Sequence, residues 1–218
     1  MAYRKTPLCV GEVYHVFTRS IAGFTIFNSP YDYMRMRDVM FYYSVKDPPC
    51  RFCFFAEKSP RMSLIDFLNR QNNKPLIQII AYCLMPTHVH LVIKEVEENG
   101  LSGYMNIVLK SYTKYFNCKY KRKGPLWEGR FKNVRVESDE QLIHLTRYVH
   151  LNPVSAGLIE QPDSWEHSSY RQYVGYNKGL TNLLKCPGLL NIKDYKGFVE
   201  DQRDYQRSLE RIKHLVAE

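Results

Sequence analysis

No stretch of this 218-residue chain is apolar for long enough to cross a bilayer. The longest such run, Ile79 to Met85, falls far short of the roughly 20 residues a membrane helix requires. The N-terminus, Met1-Ala-Tyr-Arg-Lys-Thr-Pro, is basic but leads into no apolar segment, so no signal peptide is visible. The six cysteines are then expected to be reduced thiols of a cytoplasmic protein. A Gly-Lys dipeptide is absent, which excludes the phosphate loop of an ATPase or GTPase. Cys50-x-x-Cys53 has no second pair to complete a zinc site. Repeats and low-complexity tracts are also lacking.

What the chain has is core-forming residues and positive charge. It is 44% hydrophobic and 24% charged, enough to bury a large core without disulfides. Its net charge is +9, which favours a phosphate-bearing partner, nucleic acid by default. Between residues 99 and 136, Lys110, Lys114, Lys119, Lys121, Arg122, Lys123, Arg130, Lys132 and Arg135 stand against one acid, Glu128. Tyr104, Tyr112, Tyr115, Tyr120 and Trp127 are interleaved with them, the alternation of cations and aromatics that a single-strand groove uses. Lys110, Lys114, Arg130, Lys132, Arg135 and Trp127 are therefore candidate DNA contacts. A solvated basic face would look the same, and Glu128 could hold a neighbouring cation away from DNA.

Alternation over residues 10–19 predicts a half-buried strand. Ser29-Pro30 opens a helix to about Tyr43, and Asp47-Pro48-Pro49 breaks it. Residues 44–75 read as an insertion with a brief helix through Leu68. Two strands follow, 76–84 and 88–96, joined by a hairpin connection at Met85-Pro86-Thr87. A long helix spans Leu101 to about Lys119, and a strand covers 131–136. Ser138 with Gln141 starts a helix that is expected to end near Asn152, because Pro153 follows. From about Tyr195 to His214 the tail reads as a charged amphipathic helix. This order predicts an α+β fold, a ferredoxin-like antiparallel sheet with helices gathered on one face.

Two constellations carry chemistry. His88 and His90, at i and i+2 of an apolar strand, point to one face while Val89, Leu91 and Ile93 go to the other. Two such rings can chelate a divalent metal, or can be hydrogen-bonded on a solvent face. On the helix after Ser138, Tyr148 and Asn152 are i, i+4 neighbours at the border of the stripe made by Leu142, Ile143, Leu145 and Val149. A cation held by His88, His90 and the Asn152 carbonyl, beside a tyrosine one turn away, makes a set that could attack a phosphodiester.

The run Ala81-Tyr-Cys-Leu-Met-Pro-Thr-His88-Val-His90-Leu-Val-Ile resembles the His-hydrophobic-His (HUH) motif of single-tyrosine transposases. Gly124-Pro-Leu-Trp-Glu-Gly-Arg-Phe-Lys, Arg147-Tyr148-Val-His-Leu-Asn152-Pro-Val-Ser-Ala-Gly-Leu and Trp165-Glu-His-Ser-Ser-Tyr resemble the REP-associated tyrosine transposase branch, in order across roughly residues 10–172. The resemblance implies an HUH domain over 1–172, with a helical extension at 173–218. It implies Tyr148 as nucleophile, forming a 5′-phosphotyrosine link with a free 3′-OH, and His88, His90 and Asn152 as ligands of Mg²⁺ or Mn²⁺. It implies single-stranded or hairpin DNA as partner and raises a homodimer, the state typical of relatives. Related insertion-sequence enzymes place the nucleophile on a helix after the histidine strand, which makes Tyr112 and Tyr115 rivals. Tyr148 is preferred because it alone has an Asn at i+4. Two other classes stay open, a non-catalytic DNA- or RNA-binding regulator on the same fold and a metal-dependent hydrolase with water as nucleophile.

Overall fold

The computed structural model describes residues 7–58, 62–69, 74–176 and 194–202. Its elements are β1 (Val13–Arg19), α1 (Pro30–Tyr42), α2 (Phe52–Lys58), α3 (Met62–Leu68), β2 (Ile77–Met85), β3 (His88–Glu95), α4 (Gly100–Lys119), β4 (Lys132–Arg135), α5 (Asp139–Ser155), α6 (Tyr170–Tyr173) and α7 (Tyr195–Glu200). The four strands form one antiparallel sheet in the order β2-β3-β1-β4. This is the expected α+β class and the ferredoxin-like order. The short β4 lies at one edge.

β2 and β3 are almost continuously buried because both faces of the sheet are covered. On one face Tyr14, Val16, Tyr82, Leu84, Val89, Leu91 and Ile93 join a core with α1 and α4. On the other, Ile80, Ala81, Cys83, Met85 and Val92 pack against Leu142, Val149, Leu151 and Val154 of α5. The gathering of helices on one face thus holds for α1 and α4, and α5 takes the opposite face. A stripe with apolar positions on both β2 and β3 faces needs that second cover.

Local chemistry sets where the helices start and stop. Asp32, at the third position of α1, accepts the Ser29 N–H at 2.9 Å, and Pro30 takes the position where no N–H is needed. At the start of α4, a Cβ on Gly100 would lie 2.8 Å from the Leu76 carbonyl oxygen, so only glycine fits this approach to the foot of β2. Ser138 Oγ accepts from the Gln141 N–H at 3.1 Å, capping α5 as expected.

The end of α5 differs from the sequence expectation. The helix runs through Pro153 to Ser155. A proline this near the C-terminus removes one hydrogen bond, and the terminus is set instead by Gly157 at φ 70°. The Leu158 N–H donates to Pro153 O and the Gly157 N–H to Val154 O, both at 3.0 Å, the paired bonds of a Schellman end.

The 44–75 segment contributes two helices among its described residues. Phe52, Leu64 and Phe67 reach the α1/α4 core, with Phe52, Phe55 and Phe67 around the Tyr42 ring. At the other end of the chain, α7 lies against α5: Tyr195 Oη and His150 Nδ1 share a 2.8 Å hydrogen bond. The rest of the expected tail helix, from residue 203 to about His214, lies outside the described residues, as do 177–193 and 215–218.

Candidate active site

The histidine pair sits where alternation puts it. In the register, His90 lies opposite Phe17 of β1 and Cys83 of β2, and His88 opposite Arg19 and Met85. These side chains share the α5 face, while Val89, Leu91 and Ile93 enter the other core. His90 is 7% exposed. Next to it on β1 is His15, which sequence reasoning missed: its Nε2 and the Nδ1 of His90 share a hydrogen bond at 3.0 Å. His88 Nδ1 is 3.0 Å from Thr87 Oγ1.

Tyr148 comes to the same place from α5, with Asn152 one turn further along that helix. The Tyr148 ring stands edge-on to both neighbouring imidazoles, with centroids 5.8 Å from His90 and 6.1 Å from His15. Asn152 Nδ2 donates to the Tyr148 carbonyl at 3.0 Å. That bond orients the amide and leaves its Oδ1 unused by the helix. His150, between them in sequence, turns inward instead and shares hydrogen bonds with Tyr195 Oη and, at 2.7 Å, Ser169 Oγ. It anchors α5, and burial pushes its pKa down to about 3.

The rival tyrosines are elsewhere. Tyr112 is buried in the opposite core, and its hydroxyl donates to the Ile26 carbonyl at 2.5 Å. Tyr115 donates to Asp32 Oδ1 at 2.9 Å. Neither helix position faces the histidines, because α4 covers the other side of the sheet.

The site favours neutral imidazoles. Burial pushes His15 down to about 4. His88 is also held at about 4, by burial and then by the nearby Arg19 charge. Burial lowers His90 well below the ordinary value, with His88, His15 and Arg19 adding to the effect. Neutral imidazole is the form that binds metal. With both Nδ1 atoms partnered, Nε2 is the ring nitrogen of His88 and of His90 that a cation would use, in the tautomer that leaves it unprotonated. Among the described residues no three or more His, Cys, Asp or Glu side chains converge as a metal site. A cation here would rest on the two imidazoles and the Asn152 amide oxygen. That donor set fits Mn²⁺ at least as well as Mg²⁺, which prefers oxygen ligands.

The expected DNA contacts are split between surfaces. Lys110, Lys114 and Arg130 line a groove of about 1310 Å³ between α4 and the segment leading to β4. Lys132 lies opposite Phe17 and so shares the histidine face. Arg135 is held by Glu12, with N–O distances of 3.0 and 2.8 Å. Trp127 also lines the groove but is 8% exposed, and its indole N–H lies 3.1 Å from Thr113 Oγ1 and 3.3 Å from the Leu109 carbonyl. Little of the ring is open for a base to stack on. Arg19, an exposed cation beside His88, was not among the sequence candidates.

Residues 50–152 match the family model described as IS200-like transposase. Over that span the chain is similar to the IS200-like transposases. The match begins inside the segment expected as an insertion and includes His88, His90, Tyr148 and Asn152. The chain is 27% identical over 108 residues to a putative REP-associated tyrosine transposase of Haemophilus influenzae, covering 44% of this chain and 61% of that protein. The solved structure of a REP-associated tyrosine transposase bound to a REP hairpin superposes with a TM-score of 0.56 at 16% identity, over 80% of this chain and 85% of that one. That likeness establishes the shared fold. Among the described residues, no helix is long and apolar enough to cross a membrane.

Proposed function

We propose that this protein is a transposase that nicks and rejoins single-stranded DNA through a 5′-phosphotyrosine link at Tyr148, using a cation held by His88, His90 and Asn152. The reading is supported most by the Tyr148 ring, edge-on to His90 on the sheet face that also presents His88. The phenol oxygen attacks the scissile phosphorus; the new P–O bond forms as the P–O3′ bond breaks. The phenol gives up its proton and the departing O3′ ends as a hydroxyl. One phosphodiester replaces another, so the free 3′-OH of a strand can reverse the step without a high-energy cofactor. A bound Mg²⁺ or Mn²⁺ would supply Lewis acidity toward the phosphate oxygens. Arg19 adds fixed positive charge beside His88, where charge builds up on the phosphate.

The DNA partner in this reading is a single strand next to a hairpin-bearing repeat, held by Lys110, Lys114, Arg130 and Lys132. The protein would act in the cytoplasm on chromosomal DNA, and a homodimer belongs to the same proposal. Incubation with labelled single-stranded DNA from the gene's own flanks and Mn²⁺ is expected to give a covalent band on a denaturing gel. Tyr148→Phe is expected to abolish that band while DNA affinity stays nearly unchanged, since only the attacking oxygen is lost. A band that survives in Tyr148→Phe, or one that never forms with the wild-type protein, would overturn the proposal.

A further inference from the structure

The metal ligands proposed above leave one member of the histidine cluster unused. His15 and His90 lie on adjacent strands with their rings 17° from parallel and 5.2 Å apart. We propose that His15 is a positioning residue: its Nε2 accepts the Nδ1 proton of His90 and so fixes the tautomer of His90 that carries its lone pair on Nε2. The direction given to this bond rests on the metal-site reading, but the 3.0 Å contact itself does not.

A neutral imidazole has one donor nitrogen and one acceptor, and the partner of one decides the state of the other. At 3.0 Å the His15–His90 pair has room for one proton between the nitrogens. If His15 supplied it, His90 would be protonated on Nε2 and could not bind a cation there. If His90 supplies it, Nε2 is free, and His15 carries its own proton on Nδ1. Phe17 keeps the pair aligned, with its ring 5.1 Å from His15 and 6.2 Å from His90. His88 has a different support, since the Thr87 hydroxyl can either donate or accept and does not select a tautomer by itself.

The test is long-range ¹H–¹⁵N NMR of ring-labelled, metal-free protein at neutral pH. His90 is expected to be protonated on Nδ1 in the wild type, to become a tautomer mixture in His15→Phe, and to recover in His15→Gln, whose side-chain carbonyl can accept in place of Nε2. Mn²⁺ affinity, titrated on the same samples, is expected to fall on the order of 10–100-fold in His15→Phe and to recover in His15→Gln. Protonation of His90 on Nε2 in the wild type, or an unchanged tautomer in His15→Phe, would overturn the assignment. A wild-type protein that binds no Mn²⁺ would instead defeat the metal reading, and the metal-free spectra would still decide the role of His15.

Discussion

Tyr115 owes its place in the fold to Asp32, a fully buried carboxylate on α1. Asp32 accepts hydrogen bonds from Tyr115, Tyr120, Ser29 and the backbone of Asn28, and pairs with Lys119 at 2.7 Å. Burial by itself would raise this carboxyl, but the bonds from Lys119, Tyr120, Tyr115 and Ser29 outweigh it and hold the pKa below its ordinary value. A carboxylate with a depressed folded pKa contributes stability above its unfolded pKa, and that contribution is lost as pH falls below about 4. Asp32→Asn is expected to cost roughly 2–3 kcal/mol at neutral pH, less than a fully buried pair because Lys119 reaches solvent. It is also expected to flatten the acid limb of stability against pH. Urea unfolding of both proteins between pH 2 and 7 checks this, and parallel acid limbs would refute it. At the proposed active site, Arg19→Ala is expected to slow adduct formation by about tenfold or more at saturating DNA, the loss of one transition-state donor. An unchanged rate at saturation would move Arg19 out of the chemistry.

The residues that were legible in sequence are those whose signal is local. His88 and His90 are two apart on one strand, and Tyr148 and Asn152 four apart on one helix, so periodicity alone pairs them. His15 is 75 residues from its hydrogen-bond partner. Only the β1–β3 register brings them together, and a single histidine in an alternating strand gives no hint of that. Trp127 misleads for the same reason: its place among cations suggests a stacking surface, while its burial comes from contacts with Leu109 and Thr113 on α4.

At the scale of elements, most of the strands and helices could be read from alternation and caps, and α5 shows where that reading stops. Its start was visible in Ser138 and Gln141. Its end was misplaced because a proline is only a boundary signal, and the positive-φ glycine four residues later decides the stop. Gly157→Ala meets no steric contact within 4 Å, so its cost is the left-handed backbone alone, about 1 kcal/mol. In a chain this size that lowers Tm by about 2–4 °C. Gly103→Ala, inside α4 and equally free of contacts, is the opposite case and is expected to raise stability by up to about 1 kcal/mol. Calorimetry on the two variants checks the pair of signs, and two shifts in the same direction would contradict this account of the helix end.

At the scale of the molecule, the sheet separates the proposed chemistry from much of the basic charge. His88, His90 and Tyr148 occupy the α5 face, whereas Lys110 and Lys114 belong to α4 on the other. β4 is the edge between them, with Arg130 in the groove just before it and Lys132 turned to the histidine face. A strand that touches all four cations must therefore pass around the β4 edge. This makes the contributions of the lysines separable. For single strands each phosphate contact adds about −0.7 to the slope of log K against log salt. Lys110→Ala with Lys114→Ala is expected to flatten that slope by up to about 1.4 and to leave the adduct rate at saturating DNA unchanged. Lys132→Ala is expected to flatten it by about 0.7 and, being on the histidine face, to slow the covalent step as well. Filter binding across a salt series, with adduct formation measured in parallel, reads both effects. An unchanged slope in the α4 double variant at wild-type affinity would take the groove off the DNA path and leave Lys110 and Lys114 as ordinary solvated charges.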